Sequence, residues 1–181
     1  MEDLRYPTVV EVEVFTTDHH LLGNLSTRGR RFSNWLNLED APTITLDNAA
    51  VRSLQNPDAS DLSVGYVMVN RESMLVVIPR ETPTPVPPSE LDMRPWEYVE
   101  KSRHEVFVSV APFVLRGHVH VAMGADVRHA LSTFSDSFMP VTDVRIVYAP
   151  NPKLLWEGEV VLFNRAKAQL YWPAPTAQRE E

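Results

Sequence analysis

The chain contains one local pattern twice. Residues 67–79 read VMVNRESMLVVIP, and residues 161–173 read VLFNRAKAQLYWP. In both segments an apolar run leads into Asn-Arg, and a second apolar run leads out to a proline. Further upstream, VVEVEVF and LLGNLS match EVFVSVA and VLRGHVHVA at an offset of 94 or 95 positions. Several matches kept in register along the whole half predict an internal duplication.

Alternation of apolar and polar residues makes each half a series of short strands. VVEVEVF and EVFVSVA have the two-residue period of half-buried strands. Gly23 and Gly117 lie at matching positions in the second strand of each half, which predicts a bend or a bulge there. RFSNWLNL and DVRHALS are the only helix-like pieces. VGYVMVNRESMLVVIP predicts a hairpin, and Asn70 supports a tight turn there because its short side chain tolerates a positive φ.

Proline sets the predicted boundaries. TPTPVPP, between the two halves, lacks backbone donors at its prolines and cannot form a helix or a central strand. The sequence therefore predicts a first repeat over residues 1–80, a proline-rich linker over 81–102, a second repeat over 103–174 and a disordered tail over 175–181.

The order of elements resembles a known class of small β-barrels. A strand, a glycine-bent strand, a middle strand, a long loop and a terminal hairpin resemble the SH3-like barrels, and among them the Sm-like proteins. The resemblance implies a mainly β chain of two tandem barrels, each of about five strands and one short helix. It implies RNA contacts at the turns that hold Asn70-Arg71 and Asn164-Arg165. The chain departs from Sm-like proteins in having Asn-Arg instead of Arg-Gly or Lys-Gly, and a helix after the second strand.

Composition narrows the functional classes. There is no cysteine, which excludes disulfides and thiolate metal sites and fits a reducing, cytoplasmic location. The net charge of −7 disfavours a chain whose whole surface binds nucleic acid. No apolar run is long enough for a membrane-spanning helix. A P-loop, a dinucleotide-binding glycine pattern and a nucleophile elbow are also lacking, so no cofactor is predicted.

A cluster of arginines precedes the first helix-like piece. Arg28, Arg30 and Arg31 could hold phosphates, with Phe32 or Trp35 stacking on a base. The competing interpretation is a solvated loop whose two aromatic residues belong to the core. The Asn-Arg pairs have the same two interpretations, as partner or nucleic-acid contacts or as turn chemistry.

Two histidines lie on one face of a predicted strand. His118 and His120 are two residues apart, and Asp126 or His129 could complete a metal site if the chain folds back. The competing interpretation is a solvated strand face.

The sequence best supports a non-enzymatic protein-interaction or assembly module that binds a protein partner or a second copy of itself. The first alternative is an Sm-like RNA-binding protein. The second alternative is a metal-dependent enzyme that uses His118 and His120.

Overall fold

The computed structural model describes residues 4–38, 40–82, 84–85 and 100–173. In these ranges the chain is mainly β, which confirms the prediction from the alternating patterns. The first half contains β1 (Leu4–Arg5), β2 (Val9–Phe15), β3 (His19–Ser26), α1 (Phe32–Leu38), β4 (Thr43–Ser53), β5 (Leu62–Asn70), β6 (Val76–Arg80) and β7 (Thr84–Pro85). The second half contains β8 (Lys101–Val110), β9 (Phe113–Ala122), α2 (Val127–Thr133), β10 (Phe138–Tyr148), β11 (Leu155–Asn164) and β12 (Leu170–Pro173).

Ten of the strands form one open antiparallel sheet. Their order is β12-β8-β9-β10-β11-β6-β2-β3-β4-β5, so the second half occupies one end and the first half the other. The two remaining described strands, β1 and β7, pair with each other. This strand order describes one open sheet and does not show two separate closed barrels, so the two-barrel arrangement stays a prediction.

The two halves have the same pairing register. Val12 lies opposite Gly23 on β3 and opposite Pro79 on β6. Ninety-four positions later the same pairs recur, as Val106 with Gly117 and with Pro173. The β4–β5 and β10–β11 ladders also agree, at an offset of 95 for the first strand and 94 for the second. The sequence repeat is therefore a repeat of strand pairing.

Both glycines lie at a bulge, as predicted. A Cβ atom on Gly23 would lie 2.9 Å from a side-chain carbon of β4, and one on Gly117 would lie 2.7 Å from a side-chain carbon of β10. The pairing register shifts beside both glycines. The bulged residues Asn48 and Asp143 have φ values of 50° and 49°. Asparagine and aspartate tolerate this conformation better than most residues, and a side chain at either glycine would collide with the bent neighbour.

The buried apolar residues form two clusters. The first-half core contains residues of β2 to β5 and α1, and the second half adds Phe138 and Leu162 to it. The second-half core contains residues of β8 to β11 and α2, and the first half adds Phe15, Val76 and Ile78, among others. Each half therefore lends side chains to the core of the other.

Strand β6 joins the halves. It pairs with β2 of its own half and with β11 of the other, where Leu162 lies opposite Val77 and Phe163 opposite Val76. Because side chains alternate along a strand, Val76 and Ile78 enter the second-half core while Val77 enters the first-half core. We call the paired strands β6 and β11 the internal junction.

The predicted hairpin around Asn70 is wrong. Strand β5 pairs with β4, whereas β6 pairs with β2 and β11, and a short 3-10 turn (Arg71–Ser73) connects them. Asn70 has a φ of −68° and caps this turn. Asparagine favours caps and positive-φ turns for the same reason, a short side chain that bonds nearby backbone, so sequence alone does not separate the two.

The predicted linker and tail lie mostly outside the described residues. Within 81–102, Thr84–Pro85 pair with Leu4–Arg5, and β8 already begins at Lys101. The tail over 175–181 is wholly outside the described part. In the described ranges, neither α1 nor α2 nor any other helix has the length and apolar character needed to cross a membrane.

Candidate protein-interaction surface

The Asn-Arg pairs hold equivalent places at the ends of β5 and β11. Each asparagine side chain accepts a hydrogen bond from the backbone two residues on, Asn70 from Glu72 N at 2.9 Å and Asn164 from Ala166 N at 3.1 Å. Each therefore caps a 3-10 turn.

Asn164 also closes the internal junction. Its Nδ2 donates to the carbonyl oxygen of Met74 at 3.0 Å, and its backbone N donates to the carbonyl of Leu75 at 2.9 Å. Asn164 is buried, whereas Asn70 is exposed. The same residue type thus bonds the adjoining half in one place and faces outward in the other.

The two arginines that follow bind the ends of the helices. Arg71 donates from Nη2 to the carbonyl oxygen of Leu36 at 2.8 Å, and its guanidinium lies 5.6 Å from the ring centroid of Phe138. Arg165 donates to the carbonyl oxygen of Phe134 and lies 5.9 Å from that residue's ring centroid. Cations are favoured at helix C-termini, where carbonyl groups lack helical partners. These contacts are structural ones.

A groove of about 460 Å³ brings three of the predicted site residues together. Arg71, Asn164 and Arg165 line it, and so do the acidic residues Glu72 and Asp136. The acids place negative charge beside the two arginines, which weakens the groove as an anion site.

The other predicted arginines are separate from this groove. Arg28, Arg30 and Arg31 are exposed in the loop between β3 and α1. Phe32 is fully buried in the first-half core, and Trp35 packs against that core. Phe32 therefore has no free ring face for a base.

The two histidines of the proposed metal site have polar partners of their own. His118 Nδ1 lies 2.9 Å from Arg103 Nη2, and His120 Nε2 lies 2.8 Å from Thr142 Oγ1. Asp126 caps α2 by accepting from two backbone N–H groups. In the ranges that the structure describes, no three histidine or acidic side chains come together in a way that could hold a metal ion.

Strand β5 is one end of the sheet, and it exposes an apolar face. Leu62, Tyr66 and Met68 lie on the same side of the strand because they are separated by even numbers of residues. Their exposed fractions are 62%, 65% and 60%. The backbone of β5 pairs with β4 on one side, and no other described strand pairs with its second side. Exposed apolar side chains beside an unpaired strand backbone are typical of a strand-pairing interface.

The opposite face of β5 borders a groove of about 610 Å³. Its apolar lining includes Leu21, Val51, Val67 and Val69. The residues at the matching positions of the second half are all buried in its core, namely Leu115, Ile146, Val161 and Phe163. In the second half, side chains of β6 and β2 fill the corresponding space, whereas among the described residues no strand does so beside β5.

Strand β12 is the other end of the sheet. It pairs with β8 on one side, and Trp172 stacks on Phe107 with ring centroids 5.5 Å apart. Trp172 is 40% exposed, while Ile78 at the matching position of β6 is fully buried. Phe107 and Val114 on the same face are half-buried. This second end is therefore also apolar and incompletely covered.

In the first half, the face that corresponds to Phe107 and Val114 carries a buried polar network. His20 Nε2 lies 2.8 Å from Glu13 Oε2, and Arg80 Nη2 donates to Glu13 Oε1 at 2.5 Å. Trp156 of the second half packs edge-on against His20, with ring centroids 5.5 Å apart. Arg80 also reaches the carbonyl oxygen of Glu157 at 3.3 Å. The network thus belongs to the contact between the halves.

Sequence reasoning missed this network. His20 lies on β3 and is buried. The repeat held the signal, because the positions of Glu13 and His20 correspond to Phe107 and Val114 in the second half. A polar pair, Glu13 and His20, at positions that are apolar in the other half indicates that this face packs against a different part of the protein.

The network predicts acid-sensitive stability. Burial raises the pKa of the Glu13 carboxyl, but hydrogen bonds and charges from His20 and Arg80 outweigh it, so this pKa lies below its usual value of 4.5. A lowered folded-state pKa gives stability that is complete above 4.5 and is lost as the pH falls through the folded-state value. We expect urea unfolding to show this loss as the pH falls below 4.5. Glu13→Gln should cost about 1–3 kcal/mol at pH 7 and flatten the acid dependence.

Glu11→Gln is the matched control for that prediction, since Glu11 is exposed on the same strand. It should change neither the stability at pH 7 nor the acid dependence appreciably. An unchanged acid slope in Glu13→Gln would contradict the assignment.

Comparison of the chain with family models, with curated proteins and with solved structures finds no match.

Proposed function

We propose that this protein is a non-enzymatic protein-interaction and assembly module that binds a protein strand along β5. The observation that carries the proposal is the exposed apolar face of Leu62, Tyr66 and Met68 on a strand whose second side is unpaired among the described residues. A strand added there would satisfy backbone groups and cover the three side chains together.

The repeated strand register supports an origin by internal duplication of a small SH3-like or Sm-like unit. In this proposal each unit comprises five strands and a helix, in the orders β6-β2-β3-β4-β5 and β12-β8-β9-β10-β11. Edge pairing between such units is already present once in the chain, at the internal junction. A module that binds through strand edges follows naturally from that architecture.

RNA binding is the weaker candidate. Arg71 and Arg165, which the resemblance assigns to RNA, donate to the helix ends instead. The net charge of −7 also opposes a nucleic-acid surface. A cytoplasmic location stays a prediction from the cysteine-free composition.

A photo-crosslinking amino acid at position 66 tests the proposed function in living cells. We expect irradiation to give a covalent adduct to a protein, because Tyr66 lies in the middle of the proposed interface. Val9 is the control position, since it is apolar and 55% exposed but lies on β2, an interior strand of the sheet. Equal or absent adduct formation at the two positions would remove the proposal.

A further inference from the structure

The structure points to a second copy of this chain as the occupant of β5. We propose that copies join head to tail, with β12 of one copy pairing antiparallel to β5 of the next. This inference rests on the proposed function and names the partner for it.

The internal junction supplies the template. There, β11 pairs with β6 through Leu162 opposite Val77 and Phe163 opposite Val76. Strand β5 is the counterpart of β11, and β12 is the counterpart of β6, both at an offset of 94 positions. The chain thus has two strands of the β11 type, β11 and β5, and two strands of the β6 type, β6 and β12. One pair meets inside the molecule, and the other pair forms the two ends of the sheet.

The offset fixes the register of the proposed pairing. Met68 corresponds to Leu162, and position 171 corresponds to Val77, so positions 68 and 171 of adjacent copies lie opposite each other. Asn70 corresponds to Asn164. Its Nδ2 would donate to the carbonyl of Ala168 in the next copy, as Asn164 donates to Met74. This gives the repeated asparagine a role beyond its turn.

The apolar residues of β5 fit this role. Leu162 is fully buried in the first-half core, whereas Met68 at the matching position is 60% exposed. Trp156 packs on Phe15 with ring centroids 4.9 Å apart, and its counterpart is Leu62, which is also exposed. The residues that are covered at the internal junction are thus the ones left open on β5.

The opposite end is complementary in shape and chemistry. At the internal junction, β6 buries Ile78 in the core of the half that supplies β11. Its counterpart on β12 is Trp172, and the apolar groove beside β5 is the matching space for that side chain. At the internal junction, Trp156 packs against the face that carries Glu13 and His20. In the proposed contact, its counterpart Leu62 would pack against the matching residues Phe107 and Val114, which are apolar and half-buried. The β5 end of the sheet therefore has an apolar groove, and the β12 end has an exposed apolar side chain that could fill it.

Such a contact uses different surfaces on the two partners. A head-to-tail contact of this kind repeats with every added copy, and gives a ring if the rotation closes or a filament if it does not. A pair of copies that joined through β5 alone would instead be a closed dimer.

Engineered cysteines test the register cleanly because the chain has no cysteine of its own. Purified Met68→Cys is mixed with purified Tyr171→Cys and oxidised mildly. Directly opposed residues of antiparallel strands have Cβ atoms about 4.5–5.5 Å apart, close enough for a disulfide after small shifts. We expect a dimer whose single disulfide joins positions 68 and 171. The double variant should give a series of larger species.

The control pairs Met68→Cys with Val9→Cys, because Val9 is exposed but lies on the interior strand β2, away from both ends of the sheet. Its disulfide yield should be at least about tenfold lower, since the two sulfur atoms would not be held within bonding distance. A dominant 68–68 disulfide, or no disulfide at all, would overturn the proposal. Without oxidant, sedimentation of the unmodified chain should show a mass above one chain that falls on dilution, and a single-chain mass at all concentrations would also overturn it.

Asn70→Asp adds a variant that leaves the turn cap in place. Aspartate still accepts from Glu72 N, but it cannot donate across the interface and would place a carboxylate against a carbonyl oxygen. We expect association at least about tenfold weaker, equivalent to about 1.4 kcal/mol. Unchanged association would contradict the assigned contact.

The two proposals fail in different ways. If position 66 crosslinks to another protein and no 68–171 disulfide forms, the head-to-tail inference falls and the proposed function stands. If neither a crosslink nor a disulfide forms, both fall.

Discussion

Phe15→Ala is expected to lower the free energy of unfolding by about 3–5 kcal/mol. Phe15 is fully buried and stacks on His20, with ring centroids 4.4 Å apart and planes 6° apart. It also meets Phe113 and Trp156 of the second half edge-on, at 5.5 and 4.9 Å. Truncation would leave a cavity at the centre of the contact between the halves. Urea unfolding followed by circular dichroism measures the loss.

Ser109→Ala is the matched control, because Ser109 holds the same register position on β8 and is only half-buried. It should change stability by less than about 0.5 kcal/mol. A loss below about 1 kcal/mol for Phe15→Ala would show that the aromatic cluster does not stabilise the contact between the halves.

Leu162→Lys should destabilise the chain on the order of 3–5 kcal/mol, enough to leave a large unfolded fraction in a protein of ordinary stability. Leu162 is fully buried in the first-half core, opposite Val77. An ammonium group there would lose its hydration among apolar side chains, which is costly for a charge. Thermal and urea unfolding, together with the yield of soluble protein, measure the effect.

Met68→Lys makes the same change at the matching position of β5. Because Met68 is 60% exposed, the free energy of unfolding should stay within about 0.5 kcal/mol of the unmodified chain at a dilution where single chains predominate. A similar loss in both variants would mean that β5 is covered within a single chain, and equal tolerance would mean that the internal junction is misassigned. The pair thus separates folding from association.

Much of the architecture could be predicted from local patterns. Alternation identified the strands, and the shared offset identified equivalent positions in the two halves. Gly23 and Gly117 marked the bulges because a side chain there would collide with the neighbouring strand. These features depend on residues near one another in sequence or on simple steric limits.

The pairing between the halves could not be predicted in this way. Nothing local to Val76 or Phe163 shows that β6 and β11 pair, since both strands have apolar residues on both faces. A strand buried on both sides does, however, require two neighbours. The hairpin prediction failed for this reason. It paired β6 with β5, whereas that side of β6 pairs with β11.

The candidate surface was only partly visible in the sequence. The Asn-Arg pairs drew attention to the ends of β5 and β11, but the arginines bind helix ends, and of the two asparagines it is Asn164 that makes the junction contact. Tyr66 and Met68 gave no sequence signal, because their exposure follows from the position of β5 at the end of the sheet. Exposure of that kind is a property of topology.

The sharing of β6 between two cores has a consequence for cooperativity. Val77 packs in one core, while Val76 and Ile78 pack in the other. If either half unfolded, β6 would lose its contacts with the core of that half. The side chains that this half contributes to the other core would be lost at the same time. We therefore expect the two halves to unfold together, as a single thermodynamic unit.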